Sequence, residues 1–264
     1  MEFQFKKSLG QNFLNDKNVI NKIVDSADID KGTMVIEIGP GGGAITKLMV
    51  PKAGHALLYE ADSRLEEHLN ELLSNNDNYD IVIGDFLEAN LKIDLSKYSY
   101  DKLYVVANLP YYITTPIIMK FVEESVMPEK FVIMVQKEFA HRLSASVGSR
   151  DYGSLTVFLN YYYDIKKLFD VSRNCFTPRP NVDSAIVEMK LRNNRLMVLN
   201  MDLFKELVRD SFSHKRKTIR NNLRGYNLDV VENVLKKYGF DLSVRAENLK
   251  LEVFVDIVNE LCKN

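Results

Sequence analysis

Short apolar runs alternate with stretches of helical spacing through the first half of this chain, and that rhythm leaves few architectures open. Residues 34–38, 56–60, 81–83, 103–107 and 131–135 read as strands with little polar relief on either face. Residues 44–50, 64–73, 115–124 and 138–144 read as the helices between them, and 18–27 as a helix ahead of the first strand. Strands buried on both faces and joined through helices need crossover connections, so the expected fold is a parallel sheet covered on both sides. Two late strands, 166–171 and 185–191, bring the expected sheet to seven.

The 264 residues are enough for a large α/β domain and a smaller one. Composition changes near Asn193-Asn194, and beyond it only helical periodicity is found, at 203–212, 218–223, 230–238 and 251–261. The expected division is therefore 1–192 and 193–264. Cys175 and Cys262 lie far apart and the four His are scattered, so neither a disulfide framework nor a metal site is expected. No run of 18 apolar residues is present, and the first residues lack the apolar core of a signal peptide. The expectation is a cytoplasmic protein, monomeric by default, with no membrane partner.

Val35-Ile36-Glu37-Ile38-Gly39-Pro40-Gly41-Gly42-Gly43 is a strand entering a glycine-rich turn. Glycines there allow positive φ and close approach of backbone to a ligand. Gly39, Gly41 and Ala44 fit a dinucleotide fingerprint. Pro40 removes a backbone donor from that loop, however, and Glu37 puts a carboxylate where a pyrophosphate would repel it. A carboxylate suits the amino end of a cationic ligand. The next strand ends at Glu60, about 20 residues on, where an acid can accept ribose hydroxyls. The third is followed by Gly84-Asp85, and Asp85 can accept from an adenine amine. Gly39, Glu60 and Asp85 together describe an adenosine holder without phosphate handling, which S-adenosylmethionine fits.

Asn108-Leu109-Pro110-Tyr111 closes the fourth strand. An exocyclic amine is a poor nucleophile because its lone pair is delocalised into the ring. Acceptors aimed at its N–H bonds favour a pyramidal nitrogen, and Asn108 Oδ1 with the backbone carbonyl of Leu109 or Pro110 can supply them. Tyr111 can stack on the base.

With these motifs the chain resembles the ribosomal RNA adenine N6,N6-dimethyltransferases of the KsgA (RsmA) type. Further marks are Leu9-Gly10-Gln11-Asn12-Phe13-Leu14, Gln136-Lys137-Glu138, Tyr152-Gly153-Ser154-Leu155, and the stretch Phe176-Thr177-Pro178-Arg179-Pro180-Asn181-Val182-Asp183-Ser184. The resemblance covers nearly the whole chain. It implies a Rossmann-like class I methyltransferase fold with a small helical C-terminal domain. It implies cofactor contacts at Asn12, Leu14, Gly39, Glu60, Asp85 and Asn108, and a catalytic set of Asn108, Leu109, Pro110, Tyr111 and Phe176. Phe176 would pack on the target adenine opposite Tyr111. The implied substrate is a pair of neighbouring adenosines in a hairpin near the 3′ end of 16S rRNA, within an assembling 30S subunit. Departures are Ile45, where Leu is usual, and His214-Lys215-Arg216-Lys217 in place of paired arginines.

Residues 205–224 carry seven Lys or Arg against two acids, a local balance of +5 in a chain of net charge −1. Lys215, Arg216, Lys217, Arg220 and Arg224 are the candidate RNA contacts. Lys217, Arg220 and Arg224 recur at i, i+3 and i+7, a spacing that predicts one helical face. Lys6, Lys7 and Arg150 are weaker candidates. Erm-type enzymes, which methylate large-subunit rRNA, share the fold and most motifs. Leu109 and the 176–184 stretch favour the small-subunit type. A DNA adenine methyltransferase more often carries Asp in place of Asn108, and a non-catalytic assembly factor would not need an intact site.

Overall fold

The computed structural model describes residues 11–263. Lys6, Lys7, Leu9 and Gly10 lie outside them. In chain order the elements are β1 (Phe13–Leu14), α1 (Lys17–Ala27), β2 (Thr33–Ile38), α2 (Thr46–Met49), β3 (His55–Glu60), α3 (Glu66–Leu72), β4 (Tyr79–Ile83), α4 (Leu91–Leu95), β5 (Lys102–Asn108), α5 (Thr114–Glu123), β6 (Lys130–Gln136) and α6 (Lys137–Leu143). Then come α7 (Ser154–Tyr162), β7 (Tyr163–Val171), β8 (Phe176–Thr177), β9 (Ser184–Leu191), α8 (Met201–Ser211), α9 (Ile219–Asn222), α10 (Leu228–Lys237) and α11 (Leu251–Leu261).

Seven strands form one sheet in the order β4-β3-β2-β5-β6-β9-β7. The pairs β4-β3, β3-β2, β2-β5 and β5-β6 are parallel, while β9 runs antiparallel to β6, with Gln136 opposite Ser184. The sheet is therefore mixed, not wholly parallel. A hairpin-like return needs no crossover helix, so periodicity alone does not reveal the direction of β9. All six residues of β2 are buried, whereas β4 at the edge is only half covered. That difference follows from position: a central strand is covered on both faces, an edge strand is not.

The order turns back at β2, which has β3 on one side and β5 on the other. Open α/β sheets leave a crevice at such a switch point, outside the carboxyl ends of the strands. Gly39 follows β2 and Asn108 ends β5, so the two main motifs stand on either side of it.

The chain groups into two compact units, one of 1–140 with 166–191, the other of His141–Ile165 with Arg192–Asn264. The units meet at 140/141, 165/166 and 191/192, and the expected single cut at 192/193 lies one residue from the last of these. Residues 141–165 group with the C-terminal helices, because α7 packs on α8 and α11. The apolar and aromatic run 155–163 has no clear period, and all but its last residue lies in helix α7. In that unit Phe158, Tyr161, Tyr162 and Phe204 form an aromatic cluster, and α11 buries Leu251, Val253, Phe254, Val255, Ile257 and Val258. Burial on so much of its circumference makes α11 the central helix of the group.

Candidate active site

A cavity of about 410 Å³ opens at the switch point. Its walls come from the ends of β2, β3, β4 and β5 and from residues 11–15. It brings together Asn12, Leu14, Gly39, Glu60, Asp85, Asn108, Leu109, Pro110 and Tyr111. Phe176 is not among its lining residues.

The acids are held in distinct ways. Glu60 is buried, its Oε2 accepting from the Gly41 N–H at 2.9 Å and its Oε1 from the Asp62 N–H at 2.9 Å. Those two bonds orient the carboxylate, and each oxygen keeps a lone pair for a ligand hydroxyl. Burial nevertheless pushes its pKa upward. Asp85 is exposed and lines the cavity, with Oδ1 accepting from the Leu87 N–H at 2.9 Å. Glu37 is fully buried and accepts from the Thr46 hydroxyl at 2.7 Å. Burial, with a smaller push from the charge on Glu60, raises its pKa to about 8.

The lining includes Glu37, Glu60 and Asp85 but no Lys or Arg among the described residues. A pyrophosphate would find no cation here. An adenosyl ligand with a positive centre and an amino group suits this donor set, so the residues fit S-adenosylmethionine and not a dinucleotide.

Asn108 donates from Nδ2 to the Asn12 carbonyl at 3.2 Å. That bond fixes the carboxamide orientation and leaves Oδ1 as the free acceptor. The Pro110 carbonyl already accepts from the Ile113 N–H and the Thr114 hydroxyl, each at 3.2 Å. Of the two carbonyls open on sequence grounds, Leu109's is therefore the one left for a ligand amine. Tyr111 is half-buried, and its hydroxyl is 2.6 Å from Ser184 Oγ, a fully buried residue of β9. Desolvation raises its pKa, so the phenol stays neutral at ordinary pH. The Ser184 contact holds the ring in place.

Phe176 is 4% exposed and sits in the hydrophobic core with Ile20, Ile23 and Val171. It pairs with Leu14 in a two-stranded antiparallel ribbon of β1 and β8. Its place is under the N-terminal segment, which it supports, and not at the cavity wall. Sequence reasoning also missed Asp62, which is fully buried, receives Gln11 Nε2 at 3.0 Å, and pairs with Arg64. The chain Gln11–Asp62–Glu60 thus ties residue 11 to the carboxylate end of β3. An acid two residues after Glu60 is the only sequence trace of it, and nothing there distinguishes it from a solvated turn.

Gly39 and Gly41 have φ of 70° and 56°. At Gly41 a second demand appears, because an added Cβ would lie 2.9 Å from the Phe13 ring. The glycine loop therefore accommodates Phe13 as well as a ligand. Gly41→Ala is expected to cost about 1–3 kcal/mol through backbone strain alone, read as a drop of several degrees in the thermal midpoint. Adding Phe13→Ala should return the contact share of that loss and not the φ share. An unchanged midpoint in the single variant would refute this reading.

In the second unit, Lys215, Arg216, Lys217, Arg220 and Arg224 are all exposed. The expected common helical face is not formed. Helix α9 covers only Ile219–Asn222, with Lys217 before its N-cap and Arg224 beyond its C-cap. The Ile219 and Arg220 N–H groups bond to the Val244 and Leu242 carbonyls, so the chain's donors are drawn to another loop instead of a longer helix. Lys205 lies over the Phe158 ring and Arg209 pairs with Glu206 and Asp210. Among the described residues, Lys215, Arg216, Lys217 and Arg224 form no ion pair.

The profile of the family described as ribosomal RNA adenine dimethylase matches residues 2–263. The ribosomal RNA small subunit methyltransferase A of Staphylococcus aureus (strain JH9) is 42% identical over 267 residues, covering 98% of this chain and 90% of that protein. A dimethyladenosine transferase from Plasmodium falciparum superposes with TM-score 0.81 at 28% identity, covering 95% of this chain and 98% of the other. The 23S rRNA methyltransferase ErmE superposes with TM-score 0.76, also at 28% identity, covering 95% and 100%.

Proposed function

This chain belongs to the ribosomal RNA adenine dimethylase family, and on that footing we propose that it dimethylates N6 of two adjacent adenosines in a hairpin near the 3′ end of 16S rRNA. Its place of action is the assembling 30S subunit in the cytoplasm, with a role in subunit biogenesis. The observation that carries the chemistry is the Asn108 carboxamide, held by the Asn12 carbonyl with Oδ1 free beside the unengaged Leu109 carbonyl.

S-Adenosylmethionine, when bound, supplies a methyl group on a positive sulfur that leaves readily. Glu60 accepts the ribose hydroxyls, Asp85 the adenine amine, and Glu37 faces the cationic amino end. Gly39 admits the ligand to the backbone, while Asn12 and Leu14 close over it. Asn108 Oδ1 and the Leu109 carbonyl accept from the target amine and aim its lone pair at the methyl group. Pro110 keeps the turn free of an N–H donor, and Tyr111 stacks on the target base. The task of these residues is positioning, which is the larger part of catalysis when the leaving group is already activated. The product ammonium is acidic, so no strong base is required. The target base has to leave its stack to enter the cavity.

Lys215, Arg216, Lys217, Arg220 and Arg224 are the proposed phosphate contacts, supported by their exposure and lack of acidic neighbours in sequence. The 42% identity to a ribosomal RNA small subunit methyltransferase over 98% of this chain supports the small subunit as the target. Incubation of the protein with undermethylated small subunits, or with large subunits, and methyl-labelled cofactor tests the proposal. Label is expected in small subunits only, mapping to N6 of two neighbouring adenosines. Label in large-subunit RNA would overturn it.

A further inference from the structure

We propose that the ring of Tyr112 is a stacking platform for the nucleobase that flanks the target adenosine. The inference rests on the rRNA reading above and extends it to a residue that reading does not use.

Tyr112 lines the cavity, yet it is 61% exposed, the most exposed of the tyrosines and phenylalanines among the described residues. Its hydroxyl makes no hydrogen bond among the described residues. An aromatic ring this exposed contributes little to the core, so folding gives no reason for it. Residues 111–113 form a single 3₁₀ turn, in which successive side chains point about 120° apart. Tyr111 turns inward and is fastened to Ser184; Tyr112 must then turn outward, to the rim.

A base taken out of its stack leaves the next nucleotide with one bare face. An aromatic ring at the rim can cover that face, and such stacking is indifferent to which base it meets. For a substrate with two adjacent adenosines, one of the two flanking bases is the second target. Phe176, the other aromatic considered for base contact, is buried in the core and does not line the cavity.

The test is steady-state methyl transfer to undermethylated small subunits by the wild type and by Tyr112→Ala, Tyr112→Phe and Tyr112→Leu, with cofactor affinity measured alongside. Loss of one stacked base is expected to raise KM for the subunits about tenfold in Tyr112→Ala, within the range known for base–aromatic stacking, with cofactor affinity unchanged. Tyr112→Phe should stay near the wild type. Tyr112→Leu should resemble Tyr112→Ala, because bulk without a π-face does not stack. An unchanged KM in Tyr112→Ala, or full recovery in Tyr112→Leu, overturns the inference while the rRNA reading stands. A wild type that leaves small subunits unlabelled overturns that reading and this inference with it.

Discussion

Replacing Asn108 by Ala is expected to lower methyl transfer by at least 10²- to 10³-fold, the scale seen when one preorganised polar contact to a reacting centre is removed. In the proposed mechanism the target amine has two acceptors, Asn108 Oδ1 and the Leu109 carbonyl, since the Pro110 carbonyl is already occupied. Deleting one leaves the amine free to rotate and its lone pair in conjugation with the ring. Glu60 and its two backbone bonds are untouched, so calorimetry should still detect cofactor binding, weakened but measurable. Asn108→Asp is a sharper probe. It keeps an acceptor oxygen but puts a second oxygen against the Asn12 carbonyl, where the present contact is a 3.2 Å hydrogen bond. It should lose activity and also loosen residues 11–15. Near wild-type turnover in Asn108→Ala would remove the basis of the mechanism.

The second large effect concerns Glu37 and pH. Its pKa in the folded protein is raised to about 8 from a reference of 4.5. Below pH 4.5 the folded and unfolded chains both hold the proton, and Glu37 costs nothing. Between 4.5 and about 8 the unfolded chain releases the proton and the folded chain retains it, so stability falls by about 1.4 kcal/mol per pH unit. Above 8 the cost is constant. Glu37→Gln keeps the volume and an acceptor for Thr46, and removes that slope. The variant without ligand is therefore expected to be more stable than the wild type at pH 8 and equal to it near pH 4.5, as read by denaturant titration. Cofactor binding should show the opposite ranking. A ligand cation draws the proton from Glu37, so binding near neutral pH releases a proton, seen as a heat that depends on the buffer. The ligand's own amino group also titrates near 8, and the Gln variant isolates the Glu37 share. Equal proton release by both proteins would refute the assignment.

The elements with strong period were legible before the structure. Residues 251–261 were read to the residue, and the strands from 34 to 136 within one or two positions. Local chemistry explains that success: central strands are apolar throughout, and helices such as α1 place Ile20, Ile23, Val24 and Ala27 on one face. Strand β1 left no trace in the sequence pattern because it has only two residues, too few for alternation to register. Its partner β8 lies more than 160 positions away, and no local pattern announces such a pairing. Helix α4 was missed for a similar reason, being five residues between two loops. At the site, residue identities were readable and orientations were not. Glu60, Asp85 and Asn108 stood out by spacing from glycines and strand ends, whereas the choice between the Leu109 and Pro110 carbonyls depends on what Thr114 and Ile113 bond to. The face assigned to Lys217, Arg220 and Arg224 failed because spacing presupposes an uninterrupted helix, and backbone bonds to Leu242 and Val244 intervene.

The β1–β8 ribbon sets a clock for the cavity. Four strand ends of a seven-stranded sheet form most of its walls, and the amides of the central strands are expected to exchange with solvent most slowly. The remaining wall, residues 11–15, is held by two residues paired with two, by the Asn15 N–H on the Cys175 carbonyl and Asn15 Nδ2 on Thr177 Oγ1, and by side-chain bonds from Gln11 to Asp62 and from Asn108 to the Asn12 carbonyl. Deuterium should enter that wall first. On the proposed function, in which the cofactor lies under Asn12 and Leu14, ligand residence time is expected to follow the same hierarchy. A compound that braces Phe13 and Leu14 against the glycine loop would accordingly gain its affinity in the dissociation rate, with little change in how fast it arrives.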